Sequence, residues 1–278
     1  MTARDPFLLR MTRVAGLTVW MAITLFPLYW IFVTSLKDAG AIAAYPVQYL
    51  PSQPTLDNYR GLFQVSQFGD NIINSLVVSL SAALVATAIA TLSAYVISRF
   101  QFRGRGAIVM AFLVTQMIPA FIALGPLYQF LVKLHLIDSR AGLALVYVAV
   151  CIPFSAVMLK GFFDNVPEAL EEAAMVDGCT RMTALRRVII PVMGPGLIAT
   201  YIFNFVNCWN ELFLSVTLIN TDTKRTIPTA LNGFITSFNV DWGPLSAAAV
   251  LAVLPTMILF GIASRWIVSG LTAGATKG

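Results

Sequence analysis

Asn204, Asn207, Asn210 and Glu211 stand in a stretch that is otherwise apolar, and at 100° per residue they fall within about 120° of one helix face. Three amides and a carboxyl supply both donors and acceptors, which is the chemistry that recognises the hydroxyl groups of a sugar-like solute. A central Asp costs roughly 2.5–3.5 kcal/mol on insertion scales, and such ionisable residues usually face a bundle interior or a watery cavity. Glu211 is therefore expected to point inward and the four residues to line a translocation pathway. The competing reading is that the amides hold helices together, at about 0.6 kcal/mol each. A second stripe, Asn71, Ser75 and Ser79 continued by Ala82 and Ala86, reads as a close helix contact.

The other cluster is acidic. Pro167 stands where a helix begins, with Glu168, Glu171 and Glu172 crowding its first turns near the positive end of the dipole. Asn165 or Val166 is the expected start, Gly178 the left-handed terminator, and a second helix should follow from about Thr180 to Pro191. Leu170, Ala173, Ala174 and Asp177 share one face, small and apolar with an acid at its end. Helices that lie on lipid carry Lys and Arg on the polar face and bulky anchors on the other. Glutamates and alanines suit a groove on a soluble protein instead.

Catalytic groups are missing from the pattern: there is no Walker A sequence, no HExxH, and one histidine, His135. No metal-ligating set is expected and the chain reads as non-catalytic. Cys151, Cys179 and Cys208 are odd in number and fall in no outer loop, so no disulfide framework follows.

The elements that must position these residues are membrane helices. Of 278 residues, 58% are hydrophobic and 11% charged, against about 25% charged in a soluble domain. A hydrocarbon core needs roughly 20 apolar residues per helix, and six stretches qualify, at about 14–36, 72–98, 107–132, 141–159, 195–219 and 246–268. The expectation is all-α: a single polytopic transmembrane domain over 1–278, with the acidic loop at about 164–193. The first apolar run exceeds the about 7–15 residues of a signal peptide core and should stay as an anchor. The polar stretch 37–70 is too polar to span and long enough to pack as a small cap.

The net charge of +5 does not read as a nucleic-acid footprint, because the basic residues are spread through short loops without aromatic platforms. With both termini cytoplasmic, twelve of the eighteen Lys and Arg lie inside, and the short basic loop Ser98–Arg105 is an inner turn. Pro119, Pro126, Pro153 and Pro255 should kink their helices.

Glu172-Ala173-Ala174, Gly178 and Ile190-Pro191 together resemble the EAA motif of permease subunits in binding-protein-dependent ABC importers. Arg265-Trp266 and the ending GLTAGATKG are similar to carbohydrate permeases of the maltose type, so the resemblance spans the chain. It implies a bacterial inner-membrane subunit that forms, with a second permease subunit, the path for a carbohydrate. It also implies a cytoplasmic ATPase dimer that holds ATP and Mg, with no cofactor on this chain, and an extracytoplasmic substrate-binding protein. Leu170, Glu171, Glu172, Ala173, Ala174, Asp177 and Gly178 would then dock the ATPase, with Glu172 meeting a basic residue, and the tail can reach toward it. The rival is a self-sufficient secondary transporter, which commonly shows internal repeats and ion-coupling carboxylates.

Overall fold

Apolar runs of this length can satisfy their backbone in lipid only as helices, and among the described residues every regular element is helical. The computed structural model describes residues 7–65, 67–235 and 240–275, with side chains described from 9 to 262 except at 65 and 120. In chain order the elements are α1 (Phe7–Ser35), the short α2 (Ala39–Ala43) and α3 (Asp57–Val65), α4 (Phe68–Arg99), α5 (Arg105–Met117), α6 (Ala120–Lys133) and α7 (Arg140–Asn165). There follow α8 (Ala169–Val176), α9 (Arg181–Ala184), a π turn at Leu185–Ile189, α10 (Ile190–Val192), α11 (Gly194–Asn210), α12 (Phe213–Leu218), α13 (Ile227–Asn232) and α14 (Trp242–Ala275). By length and composition α1, α4, α7 and α14 each suffice to cross a membrane. The count reaches six if two bent pairs are each one span: α5 with α6, and the run Arg181–Val192 with α11.

Two of the expected spans are broken. Between α5 and α6 the axis turns by 103°, at Ile118, which is extended in front of Pro119 because the proline ring disfavours a helical residue before it. The stretch 195–219 is α11 and α12 with an interruption at Glu211 and Leu212. Pro27, Pro126, Pro153 and Pro255 lie inside helices.

The chain divides into two compact units, one of residues up to Phe68 with Leu231–Leu254, the other of Gly69–Ala230 with the residues from Pro255 on. In the first unit the polar segment after α1 packs as the expected cap. The Asn58 amide donates to the carbonyls of Ser35 (2.9 Å) and Lys37 (2.8 Å), closing the end of α1. Lys37 is buried, its ammonium 4.7 Å above the Trp30 ring and donating to the Gln48 carbonyl. Gly243 comes so close to Asn58 that an added Cβ would lie 2.5 Å from Asn58 Oδ1.

The second unit is built on α4 and α7. α4 buries Ser75, Ser79, Ala82, Ala83, Ala86, Ala90 and Ala94 along one side, and small residues let helix backbones approach closely. Val78, Ala82 and Ala86 share a core with Leu131, Leu143, Tyr147, Cys151 and Cys208. Further along, Ala90, Ala94 and Tyr95 share another with Ala156, Leu159, Phe163, Leu185 and Ile189. α11 crosses α7 at Gly196, where an added Cβ would lie 2.6 Å from the Phe162 ring.

The start of α4 departs from a helix–helix contact. Asn71 donates to the Arg225 carbonyl (3.0 Å), Asn74 to those of Thr223 (2.9 Å) and Arg225 (3.0 Å), and Ser75 accepts from the Ile227 amide (2.7 Å). That end of the stripe holds a connecting segment, and only the alanines beyond it follow the expected helix contact.

Candidate functional site

The helix of the acidic loop begins two residues later than its proline suggests: Val166 and Pro167 form the link, Glu168 stands at the N-cap, and α8 runs from Ala169. Its end follows the expected rule. Gly178 has φ +87°, and the amides of Gly178 and Cys179 bond the carbonyls of Met175 and Ala174, both at 3.0 Å, which together make a Schellman cap. Thr180 then caps α9 by accepting from the Thr183 amide.

Burial sorts the predicted docking residues into two sets. Leu170, Glu172, Ala173, Asp177 and Gly178 are exposed, and Val176, at 87%, joins them. Glu171 and Ala174 are turned into the protein. The exposed face thus has Val176 where the helical wheel suggested Ala174.

Glu171 is engaged by α4. The Tyr95 hydroxyl donates to Glu171 Oε1, Arg99 Nε lies 3.5 Å from Glu171 Oε2, and both charged side chains are under 10% exposed, at 7% and 8%. Arg99 also donates to the Val166 carbonyl (2.7 Å) and approaches Glu168 (3.8 Å). Ser98 donates to Asp164 near the end of α7 (2.7 Å). Arg181 stacks over the Phe100 ring at 5.1 Å. Arg99, Glu168, Glu171, Glu172, Met175 and Arg181 enclose a small polar cavity of about 90 Å³. The sequence reading missed Tyr95 and Arg99. Their i, i+4 spacing at the end of an apolar helix was the available signal, and Arg99 had been absorbed into the charge bias.

The four polar residues of the fifth stretch do not act alike. Asn204 is fully buried, accepting from Ser155 (2.8 Å) and donating to Thr87 (3.1 Å), so it ties α11 to α7 and α4. Asn207 and Asn210 are exposed on this chain, each donating back to the carbonyl four residues earlier. Phe154 and Phe203 stack beside this surface with centroids 4.4 Å apart. Glu211 ends α11, and its carboxylate accepts the amides of Leu214 (3.0 Å) and Ser215 (3.2 Å) and the Tyr147 hydroxyl (3.1 Å). Glu211 is thus the side-chain cap at the start of α12, and it is half-buried.

The cysteines are free thiols, Cys151 and Cys208 with sulfurs 3.7 Å apart in the interior. Of the residues similar to carbohydrate permeases near the end, Arg265 and Trp266 lie in α14 with side chains outside the described set, and Thr276, Lys277 and Gly278 lie outside the described residues.

Residues 83–273 match the family described as the binding-protein-dependent transport system inner membrane component. The diacetylchitobiose uptake system permease protein DasC of Streptomyces coelicolor is 37% identical over 253 residues, 91% of this chain and 92% of its own. Among solved structures, a chain of a bacterial ABC transporter involved in the import of the acidic polysaccharide alginate superposes with a TM-score of 0.82 at 20% identity, over 95% of this chain and 98% of that one. A second, from the alginate transporter in complex with its pentasaccharide-bound periplasmic protein, gives 0.67 at 18% identity over 93% of each.

Proposed function

This chain belongs to the family of inner membrane components of binding-protein-dependent transport systems, as a permease subunit of an ABC importer, and on that premise we propose that the solute it passes is a carbohydrate. A second permease subunit completes the path, and an extracytoplasmic binding protein delivers the solute. A cytoplasmic ATPase pair, holding the ATP and Mg²⁺, docks on α8. Both termini face the cytoplasm, and the whole chain serves as one transmembrane domain. A self-sufficient secondary transporter is set aside, because the family depends on a binding protein.

The observation that carries this reading is the exposed face of α8. A short helix ended by Gly178 presents Leu170, Glu172, Ala173 and Val176 outward, a surface small enough for a groove and acidic enough for a basic partner. The carbohydrate is supported by the uptake role named for the Streptomyces relative. Asn207 and Asn210 beside the stacked phenylalanines add to it, since small-solute sites combine aromatic walls with a few placed polar groups.

Glu172→Lys turns attraction into repulsion and should cut the ATPase that copurifies with the tagged chain about tenfold, a cost of about 1.4 kcal/mol. Gly178→Val forces a β-branched residue to φ +87°, strain of more than about 1 kcal/mol. It should do likewise while insertion persists. Unchanged copurification in both variants would remove α8 as the docking element. Uptake of a panel of labelled mono- and disaccharides in a deletion strain identifies the solute. Loss confined to a non-sugar solute would overturn the carbohydrate assignment.

A further inference from the structure

We propose that Tyr95, Arg99 and Glu171 form a rigid joint through which movement of α8 enters the membrane, so that α8, α4 and α7 travel as one body. This rests on α8 being the surface that meets the ATPase.

An eight-residue helix has little stability of its own, so its direction is set by whatever holds it. α8 is connected through Val166–Pro167 on one side and the left-handed Gly178 on the other, and two such links would take up a push by turning. Packing against α9 and the π turn narrows that freedom, and the side chains of α4 tie what remains to a long apolar helix. Tyr95 and Arg99, one turn apart on the same face, meet opposite oxygens of Glu171, the first by a hydrogen bond and the second by an ion pair at 3.5 Å. Arg99 also holds the Val166 carbonyl, and Ser98 holds Asp164. One turn of α4 therefore grasps the end of α7, the link and α8 together. Above it, Ala90 and Ala94 of α4 share one buried core with Ala156, Leu159 and Phe163 of α7, and a well-packed interior transmits displacement instead of absorbing it.

The chemistry of the joint argues for geometry over stability. Replacing a buried ion pair with apolar side chains is often neutral or stabilising, so an Arg–Glu pair under 10% exposed is a costly way to fill space. What it supplies is direction: the guanidinium and the phenol fix where one carboxylate sits. Glu171 and Glu172 thus divide the work, the first facing the membrane helices and the second the partner.

The test uses the assembled importer in lipid vesicles, with spin labels on native Cys179, which caps α8, and on Val96→Cys of α4, and with Cys151 and Cys208 replaced by alanine. The label-to-label distance should be the same without nucleotide and with MgATP trapped by vanadate, whereas Glu171→Gln should broaden or shift it. Solute carried per ATP hydrolysed should fall in Glu171→Gln and Tyr95→Phe by roughly two- to thirtyfold, the range for coupling mutations in a packed network. The pair together should do no worse than Glu171→Gln alone. A distance that changes between nucleotide states with Glu171 intact, or an unchanged transport ratio in both variants, overturns the joint while leaving the docking reading standing. Loss of copurifying ATPase in Glu171→Gln equal to that in Glu172→Lys would make Glu171 a docking residue and also overturn it. Normal copurification in both Glu172→Lys and Gly178→Val removes the docking reading, and the joint with it.

Discussion

Asp138 sits at φ +54°, and its carboxylate accepts from the amides of Asn220 (3.0 Å) and Thr221 (2.9 Å), the Thr221 hydroxyl (2.7 Å) and Lys224 (2.7 Å). These donors, Lys224 foremost, hold its carboxyl well below the usual carboxylate range. A depressed folded pKa gives stability that is complete above the unfolded value of about 3.9 and is lost as pH falls from there toward the folded value. Hydrogen exchange should therefore find the Asn220 and Thr221 amides protected at neutral pH and freed in strong acid. Asp138→Asn should abolish the acid dependence, and equal protection across the range would disprove the anchor. None of this was legible in sequence, because Asp138 and Thr221 meet only through the fold. The same holds for Tyr95 with Glu171. Gly178 and Thr180 were legible, because a helix cap is written in neighbouring residues. Three glutamates in two turns announce an acidic helix, but which one turns inward depends on where α4 passes.

The fifth apolar stretch shows what hydropathy leaves out at the scale of an element. A helical wheel for residues 204–214 assumes an unbroken helix, yet α11 stops at Asn210 and Glu211 caps a new start. No glycine or proline marks this interruption, whereas Pro119 marks the one between α5 and α6. The wheel holds for Asn204, Asn207 and Asn210, and the question becomes what each turn of the helix packs against. Asn204 is consumed by Ser155 and Thr87, which is the helix-tying role, while Asn207 and Asn210 stay exposed on this chain, as the proposed pathway requires. In a chain whose native cysteines are replaced, cysteines at 207 and 210 should react with a small hydrophilic thiol reagent at rates that differ between resting and ATP-trapped importer. Cysteines at 204 and at the buried Leu214 should stay inert. Equal reactivity at all four would return the stripe to simple packing.

For the molecule as a whole, composition alone carries the all-helical membrane class, and the proposed orientation rests on the charge bias of the loops. Cys179 should be shielded from a membrane-impermeant thiol reagent in intact cells, and a cysteine at His135, an exposed residue at φ +55°, should be labelled. The reverse pattern would invert the chain and place α8 on the wrong side for any ATPase. The π turn at Leu185–Ile189, where the Ile190 amide reaches back to the Leu185 carbonyl, bears on how such a chain tolerates changes of length. A π turn holds one residue more than an α turn over the same path, so the segment between α9 and α10 carries one spare residue. A chain one residue shorter there closes into ordinary α-helix, with the helices on either side still facing as they do. The same loss within α11 would turn everything after it by about 100°, moving Asn207 and Asn210 off their face.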